Sequence, residues 1–510
     1  MQLVNDFLEH SAARTPNKVA LVCGGRRLTY AEIDGMANRM ANALRAQGVN
    51  PGDRVALFLP NTVELVVSIF ATLKASAVFV IVNATTKSDK LVYLVNNCRA
   101  TALVTRAREA AAIDAVRAEM RSLQLIILTE QSAARAAQED ESVFAFDALQ
   151  AGYPDTCPPR QCIDRDLACL IYTSGSTGEP KGVMSAHSNV VFAATSIITY
   201  LENQPEDIVI NVLPMSFDYG LYQLLMVFKF GGTLVLERSF VYPAQVLKRM
   251  EQERVTGFPG VPTVFAILLQ MDLKYDLQAL RYITNTAAAL PPSHIQQIRQ
   301  KFPWVTLYSM YGLTETKRTL YLPPDQLDAR PDSVGLAIPG TQVWIEDEEG
   351  NRLGPHQIGE LVIRGGHVMR GYWQAPQATA ARYRPGPLPG EWVCCSGDLF
   401  RMDEDGYLYF VGRKDDIIKS RGEKVAPKEI ENVLYKMPGV VEAAVIGVPD
   451  PLLGEAIKAF VVVKGAGVSD KDVLRHCRQH LEDFMVPQSV EFRDALPKTS
   501  SGKIKKTALL

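Results

Sequence analysis

The sequence predicts an α/β protein: a large layered N-terminal domain with a β-rich subdomain, followed by a small α+β C-terminal domain. Three observations carry this. Strand-like apolar runs alternate with helix-length amphipathic segments from the N-terminus to near residue 300, the rhythm of layers with mostly parallel strands. From about Ser333 to Phe410 the strands shorten, and Gly, Pro and Asp turns separate them. After Arg413 a smaller unit of helices and strands begins. A chain of 510 residues also exceeds what one compact core holds.

In order along the chain, Arg54–Leu59 predicts a strand, Thr62–Lys74 a helix and Val78–Val82 the next strand. Leu123–Leu128, Leu167–Ile171 and Asp207–Leu213 predict further strands of the layered region. Thr341–Glu346 and Glu360–Arg364 predict the short strands of the β-rich subdomain, spanning about 333–410. In the last unit Lys428–Lys436 and Asp470–Leu481 suit helices, while Glu442–Ile446 and Ala459–Val463 suit strands. No internal repeat is visible.

Composition excludes several classes. A net charge of −2 argues against a nucleic-acid partner. Eight cysteines without regular spacing, with Cys394 and Cys395 adjacent, suit reduced thiols in a cytoplasmic protein better than a disulfide framework. The N-terminus lacks the charged and apolar regions of a signal peptide. Glu64, Ser68, Lys74 and Ser76 interrupt the most apolar stretch, Val63–Val82, so it reads as a buried helix and strand, not a membrane span. The C-terminal Ala508-Leu-Leu510 is not a peroxisomal address. A soluble cytoplasmic enzyme is expected.

The most informative stretch is Tyr172-Thr-Ser-Gly-Ser-Thr-Gly-Glu-Pro-Lys-Gly-Val183. Every residue from Tyr172 to Gly178 carries a hydroxyl or is glycine, and Lys181 follows. Such a loop can turn backbone N–H groups and hydroxyls onto a polyphosphate, with the lysine as a point charge beside them. The spacing is neither the Walker pattern nor the dinucleotide glycine fingerprint. The bland alternative is a flexible Ser/Gly turn with a solvated lysine.

This string resembles the phosphate-binding signature of the adenylate-forming enzymes: acyl- and aryl-CoA synthetases, amino-acid adenylation domains and luciferases. Further segments resemble that family in the same order. They are Leu28-Thr-Tyr-Ala-Glu32, Gly52-Asp-Arg-Val55, Tyr311-Gly-Leu-Thr-Glu-Thr316, Gly359-Glu-Leu-Val-Ile-Arg-Gly365, Gly371-Tyr-Trp373, Ser396-Gly-Asp398, Gly412–Gly422 and Pro497–Lys503. They cover nearly the whole chain, and the acyl/aryl-CoA synthetases are the nearest group.

The resemblance implies an adenylation domain over 1–413, a hinge at 414–416 and a mobile lid domain over 417–510. It implies ATP, Mg²⁺ and coenzyme A as cofactors and a small carboxylic acid as substrate. Thr173, Ser174, Gly175, Ser176, Thr177, Gly178 and Lys181 would hold the β- and γ-phosphates. Thr314 would meet the α-phosphate and Glu315 the Mg²⁺, since one carboxylate with phosphate oxygens and waters makes a normal shell. Tyr311, Gly312 and the small residues Ala287, Ala288 and Ala289 would shape the adenine site. Asp398 would accept the ribose hydroxyls with Arg413 beside it. Asp415 would be the hinge acid, Arg421 and Gly422 would border the thiol channel, and Lys503 would be the catalytic lysine. Lys505 and Lys506 would be a solvated tail, and His187 structural.

The acyl pocket departs from the ligase pattern. Phe217 stands where many CoA ligases carry His, and Asp218, Tyr219 and Gly220 follow. Amino-acid adenylation domains carry a similar Phe-Asp. A carboxylate there would be costly unless paired. Asp218 would therefore either read an amino or hydroxyl group on the acid, or bond to local backbone at a turn or cap. The resulting expectation is an AMP-forming acid–thiol ligase using coenzyme A. The alternative acceptor is a carrier-protein phosphopantetheine. A luciferase-like oxygen-using enzyme and a non-catalytic nucleotide-binding relative are further rivals.

Overall fold

The computed structural model describes residues 2–130, 142–173, 180–286, 290–414, 416–420, 423–450, 453–464, 467–499 and 502–509. Among them four sheets form. In the first, Thr306–Tyr311, Tyr282–Asn285, Gly257–Gly260, Ile208–Asn211, Thr233–Leu236 and Val19–Cys23 run parallel side by side. Antiparallel strands flank them at both edges. In the second, Val143–Ala145, Leu125–Thr129, Ala100–Arg106, Arg54–Phe58, Val78–Ile81 and Leu167–Thr173 are parallel, and Lys181–Ala186 closes the edge antiparallel. Parallel strands need covered faces, which explains their continuous Val/Ile/Leu runs.

One core joins the two sheets through the helices between them. Helices Val63–Lys74 and Asp218–Phe230 lie in it, with Phe70 stacked on Phe228 at 5.1 Å between ring centres. The apolar Val63–Val82 stretch is therefore a buried helix and strand, as expected. Among the described residues no helix is long and apolar enough to cross a membrane. Leu28–Glu32, one of the segments that resemble the family, is a capping box: Thr29 accepts from the Glu32 backbone, and the Glu32 side chain accepts from Thr29. None of the eight cysteines is in a disulfide.

The β-rich subdomain is an antiparallel sheet of Thr341–Glu346, Ile358–Gly365, Trp392–Met402, Tyr383–Pro385 and Leu408–Arg413. The C-terminal unit has its own sheet, helices Pro427–Lys436 and Asp470–His480, and its own core around Ile430, Leu434, Val445 and Val473. Its central strands run longer than expected, Val440–Asp450 and Gly454–Val463, because each pairs with the other along nearly its full length. Local composition does not reveal that hairpin pairing. Lys506 is not a free tail residue: it pairs with Glu431 at 2.7 Å.

Candidate active site

On either side of the phosphate-loop segment, strands Leu167–Thr173 and Lys181–Ala186 pair antiparallel as a hairpin, with Thr173 opposite Lys181. Ser174, Gly175, Ser176, Thr177 and Gly178 lie outside the described residues. The segment Gly371–Trp373 docks on the second strand of that hairpin, with Met184 N donating to Gly371 O at 2.9 Å and Trp373 N to Gly182 O at 2.7 Å. This brings Tyr372 beside Lys181, whose ammonium lies 5.8 Å from the ring centre. The Tyr372 hydroxyl donates to Glu315 Oε1. Lys181, Tyr372 and Glu315 thus form a row from three distant parts of the chain.

Glu315 sits on a tight loop after strand Thr306–Tyr311. Gly312 packs against the Lys317 carbonyl so closely that any Cβ would overlap it. Lys317 itself is left-handed at φ 58°, a conformation that costs a non-glycine residue of order 1 kcal/mol. The Thr316 and Thr319 hydroxyls bridge at 2.7 Å, and Met369 N donates to Glu315 O at 3.0 Å, which helps hold the loop. Thr314 is half-buried at the rim, and its carbonyl accepts from Lys317 Nζ at 2.9 Å.

Asp398 lies on strand Trp392–Met402, opposite Arg413 of Leu408–Arg413. The Tyr311 hydroxyl donates to its Oδ2 at 2.6 Å. The Tyr311 ring meets Phe400 edge-on at 5.0 Å. Asp398 Oδ1 is buried with no hydrogen-bond partner, and Arg413 Nε lies 3.6 Å away. Burial raises the Asp398 pKa, while Tyr311, Arg413, Arg382 and Lys503 oppose the rise. Burial alone would lower the Arg382 pKa, but Glu315 above all, with Cys394, Tyr372 and Asp398, holds it above its ordinary value.

Lys503 reaches these groups from the C-terminal unit. Thr499 N donates to Lys503 O at 2.7 Å and Gly502 N to Thr499 O at 2.9 Å, forming a tight turn with Gly502 at φ 81°. The turn rests on the large domain: a methyl on Gly502 would stand 3.0 Å from Thr263 Oγ1 and 3.4 Å from Val261. The Lys503 side chain is exposed by surface area, although many protein atoms lie around its ammonium. That desolvation lowers its pKa; Asp218, Asp398 and Glu315 pull it up, and Arg413 pushes it down. Lys503, Asp218, Asp398, Glu315 and Arg413 therefore share one electrostatic neighbourhood.

The acyl-pocket candidates divide. Phe217 is half-buried and Asp218 is buried at the first turn of helix Asp218–Phe230. The helix has Phe217 at its N-cap, with no side-chain cap hydrogen bond. The nearest counter-charge to Asp218 is Arg318, at 4.0 Å. Tyr219 is fully buried, with its hydroxyl on Thr284 O at 2.8 Å, so it underlies the site as core. Gly220 packs on the Leu213 and Pro214 carbonyls, leaving no room for a Cβ. His187 is structural: its Nδ1 accepts from Val4 N at 3.1 Å, and burial lowers its pKa to about 4. Ala287, Ala288, Ala289, Asp415, Arg421 and Gly422 lie outside the described residues.

Tyr372, Arg382, Lys317 and Arg318 are the residues that sequence reasoning missed. Tyr372 stands inside a recognised segment, but its partner is 57 residues away. The Lys317-Arg318 pair directly after Thr316 was the available signal for the other two cations.

A cation from the smaller domain thus shares an electrostatic neighbourhood with carboxylates of the larger one. The AMP-binding enzyme model matches residues 8–373, and the AMP-binding enzyme C-terminal domain model matches 429–503. The chain is 35% identical to a feruloyl-CoA synthase from Amycolatopsis sp, over 97% of this chain and 96% of that protein. It is 32% identical to a long-chain-fatty-acid–CoA ligase from Bacillus subtilis (strain 168), over 99% and 94%. The anthranilate CoA ligase AuaEII, solved in complex with anthranoyl-AMP, superposes with a TM-score of 0.90 at 28% identity, covering 100% of this chain and 96% of that one. The chain belongs to the AMP-binding enzyme family and is an acid–thiol ligase of the AMP-forming type.

Proposed function

We propose that the enzyme activates a carboxylic acid with ATP as an acyl-adenylate, releasing pyrophosphate, and passes the acyl group to the thiol of coenzyme A with release of AMP. The observation that carries this is the seating of the Lys503 turn, through Gly502, against Val261 and Thr263 of the large domain, with Asp218, Asp398 and Glu315 in electrostatic range of the lysine.

A carboxylate oxygen attacks the α-phosphorus in line, and the bond to the pyrophosphate oxygen breaks. The protein's task is alignment and charge neutralisation. Lys181, with Thr173 and the hydroxyls of the adjoining loop, binds the β- and γ-phosphates. Thr314 orients the α-phosphate. Lys503 holds the acid against it. The free Oδ1 of Asp398 suits a ribose hydroxyl, with Arg413 beside it. The Tyr311 ring and Gly312 border the purine, with Ala287, Ala288 and Ala289. Glu315 fits a Mg²⁺ ligand, because Tyr372 occupies Oε1 and no described residue donates to Oε2. When bound, that ion supplies positive charge to the phosphate oxygens. Phe217 and Asp218 border the acid.

In the second step the thiol attacks the acyl carbon and AMP leaves. Lys503 then blocks nothing if the small domain rotates about 414–416, with Asp415 as pivot and Arg421 and Gly422 beside the thiol. The names of the relatives favour coenzyme A over a carrier protein. AMP release with each acid of a fatty and aryl panel, with coenzyme A or with a phosphopantetheinylated carrier protein, tests the reading. Release that requires the carrier protein would replace coenzyme A. No pyrophosphate exchange with any acid would overturn the ligase reading.

A further inference from the structure

The hairpin that flanks the phosphate loop is not held by its own strands alone. Helix Ser88–Cys98 grips the chain at both ends of that loop. Tyr93 and Asn97 stand one turn apart on one face of the helix. The Tyr93 hydroxyl donates at 3.0 Å to the carbonyl of Pro180, the residue directly before Lys181. Asn97 Oδ1 accepts at 2.5 Å from the hydroxyl of Tyr172, the residue directly before Thr173.

Asn97 also holds a separate segment. It lies in the last turn of its helix, where carbonyls have no partner within the helix. The Trp373 indole Nε1 donates to Asn97 O at 2.9 Å. Arg54 closes the rest of that helix end, with Nε on Cys98 O at 2.6 Å and Nη2 on Arg99 O at 2.8 Å. Its guanidinium lies 5.4 Å from the Trp373 ring centre. Tyr372, the neighbour of Trp373, donates to Glu315. Asn97 is thus tied through its side chain to the phosphate loop, and through its carbonyl to the segment that orients the Mg²⁺-ligand candidate. A Ser/Gly-rich loop loses conformational freedom when it closes on phosphate, and fixing its ends beforehand reduces that cost.

We infer that Asn97 and Tyr93 are positioning residues for the β- and γ-phosphates of ATP: they brace the two ends of the phosphate loop, and Asn97 fixes that loop relative to the Tyr372–Glu315 pair. This rests on the reading of the loop given above and adds the frame that holds it. Both residues act through the loop, not on the nucleotide itself.

Calorimetric binding of Mg²⁺-ATP and of AMP, without acid, tests the brace independently of turnover. AMP lacks the β- and γ-phosphates and is the reference. Asn97→Ala should weaken ATP binding up to about tenfold, as expected for one lost hydrogen bond, and leave AMP binding within about twofold of wild type. Tyr172→Phe, which keeps the ring, should reproduce that selective loss. The double variant should be no worse than either single one, because the two residues share one bond. Tyr93→Phe should show a smaller loss of the same kind. In pyrophosphate exchange these variants should raise the KM for ATP and leave the KM for the acid unchanged. Equal losses on ATP and AMP, or unchanged ATP binding in both Asn97→Ala and Tyr172→Phe, overturn the brace. Lys181→Ala is the control for the loop itself. If Lys181→Ala loses ATP selectively while Asn97→Ala and Tyr172→Phe do not, the brace alone fails. If Lys181→Ala leaves the preference for ATP over AMP unchanged, the loop reading fails and the brace falls with it.

Discussion

The walls of the cleft and the loop that closes it are built by different rules. Asp398 and Glu315 are buried, and each is held by a tyrosine hydroxyl, from Tyr311 and Tyr372, within a shared subdomain core. Lys503 sits on a short turn near the chain end, and that turn meets the large domain at Val261 and Thr263. Preorganised walls cost nothing at the moment of reaction. A group carried on a separate small domain can be withdrawn. In the proposed mechanism this difference means that the carboxylates serve both half-reactions whenever nucleotide is bound, and the lysine serves one.

The sharpest way to break that comparison is Lys503→Ala. Loss of one such electrostatic contact should lower acyl-adenylate formation about 10²–10³-fold. Thioester formation from supplied acyl-adenylate should persist. Exposed Lys505→Ala should leave both steps near wild type. Equal losses in both half-reactions would make Lys503 a wall residue like the others.

Asp398→Ala tests the wall. Removing a charged acceptor of ribose should cost roughly 1.5–3 kcal/mol, about ten- to a hundredfold in the apparent affinity for ATP. The matching loss should appear in thioester formation from acyl-adenylate, which carries the same ribose. An effect confined to the first step would contradict a shared nucleotide wall.

Tyr372→Phe should be milder, up to about tenfold in pyrophosphate release, as expected for one lost hydrogen bond. Added Mg²⁺ should restore most of it if the hydroxyl acts by orienting Glu315. A loss that no Mg²⁺ concentration relieves would point to the Lys181 side of the ring.

The smallest effect is in the pH profile. Desolvation lowers the Lys503 pKa below its ordinary value, so its charge is lost at a lower pH than for a free lysine. Adenylate formation should therefore fall as pH rises through that lowered pKa, while thioester formation from supplied acyl-adenylate should lack this alkaline limb. A common limb in both steps would remove Lys503 as its source.

The fold was legible because its signals are local. Alternating apolar runs located Arg54–Phe58, Val63–Lys74 and Thr341–Glu346 to within a residue or two. The lysine loop was visible as the string Pro497–Lys503, though Lys506 was misjudged because its partner Glu431 comes from helix Pro427–Lys436. Asp218 was visible as an anomaly, but the Arg318 that faces it lies one hundred positions along the chain.

By itself the sequence determined which segments are strands and helices and, through the order of its motifs, which family the chain belongs to. These follow from periodicity, turn residues and the order of short strings, all read over a few neighbouring positions. Only the tertiary structure decided which charges meet. The Tyr372–Glu315 and Tyr311–Asp398 bonds, the docking of Gly502 on Thr263 and the Arg318–Asp218 ion pair join elements far apart in the chain. Their physical cause is burial: once water is excluded, polar groups must find partners across the fold.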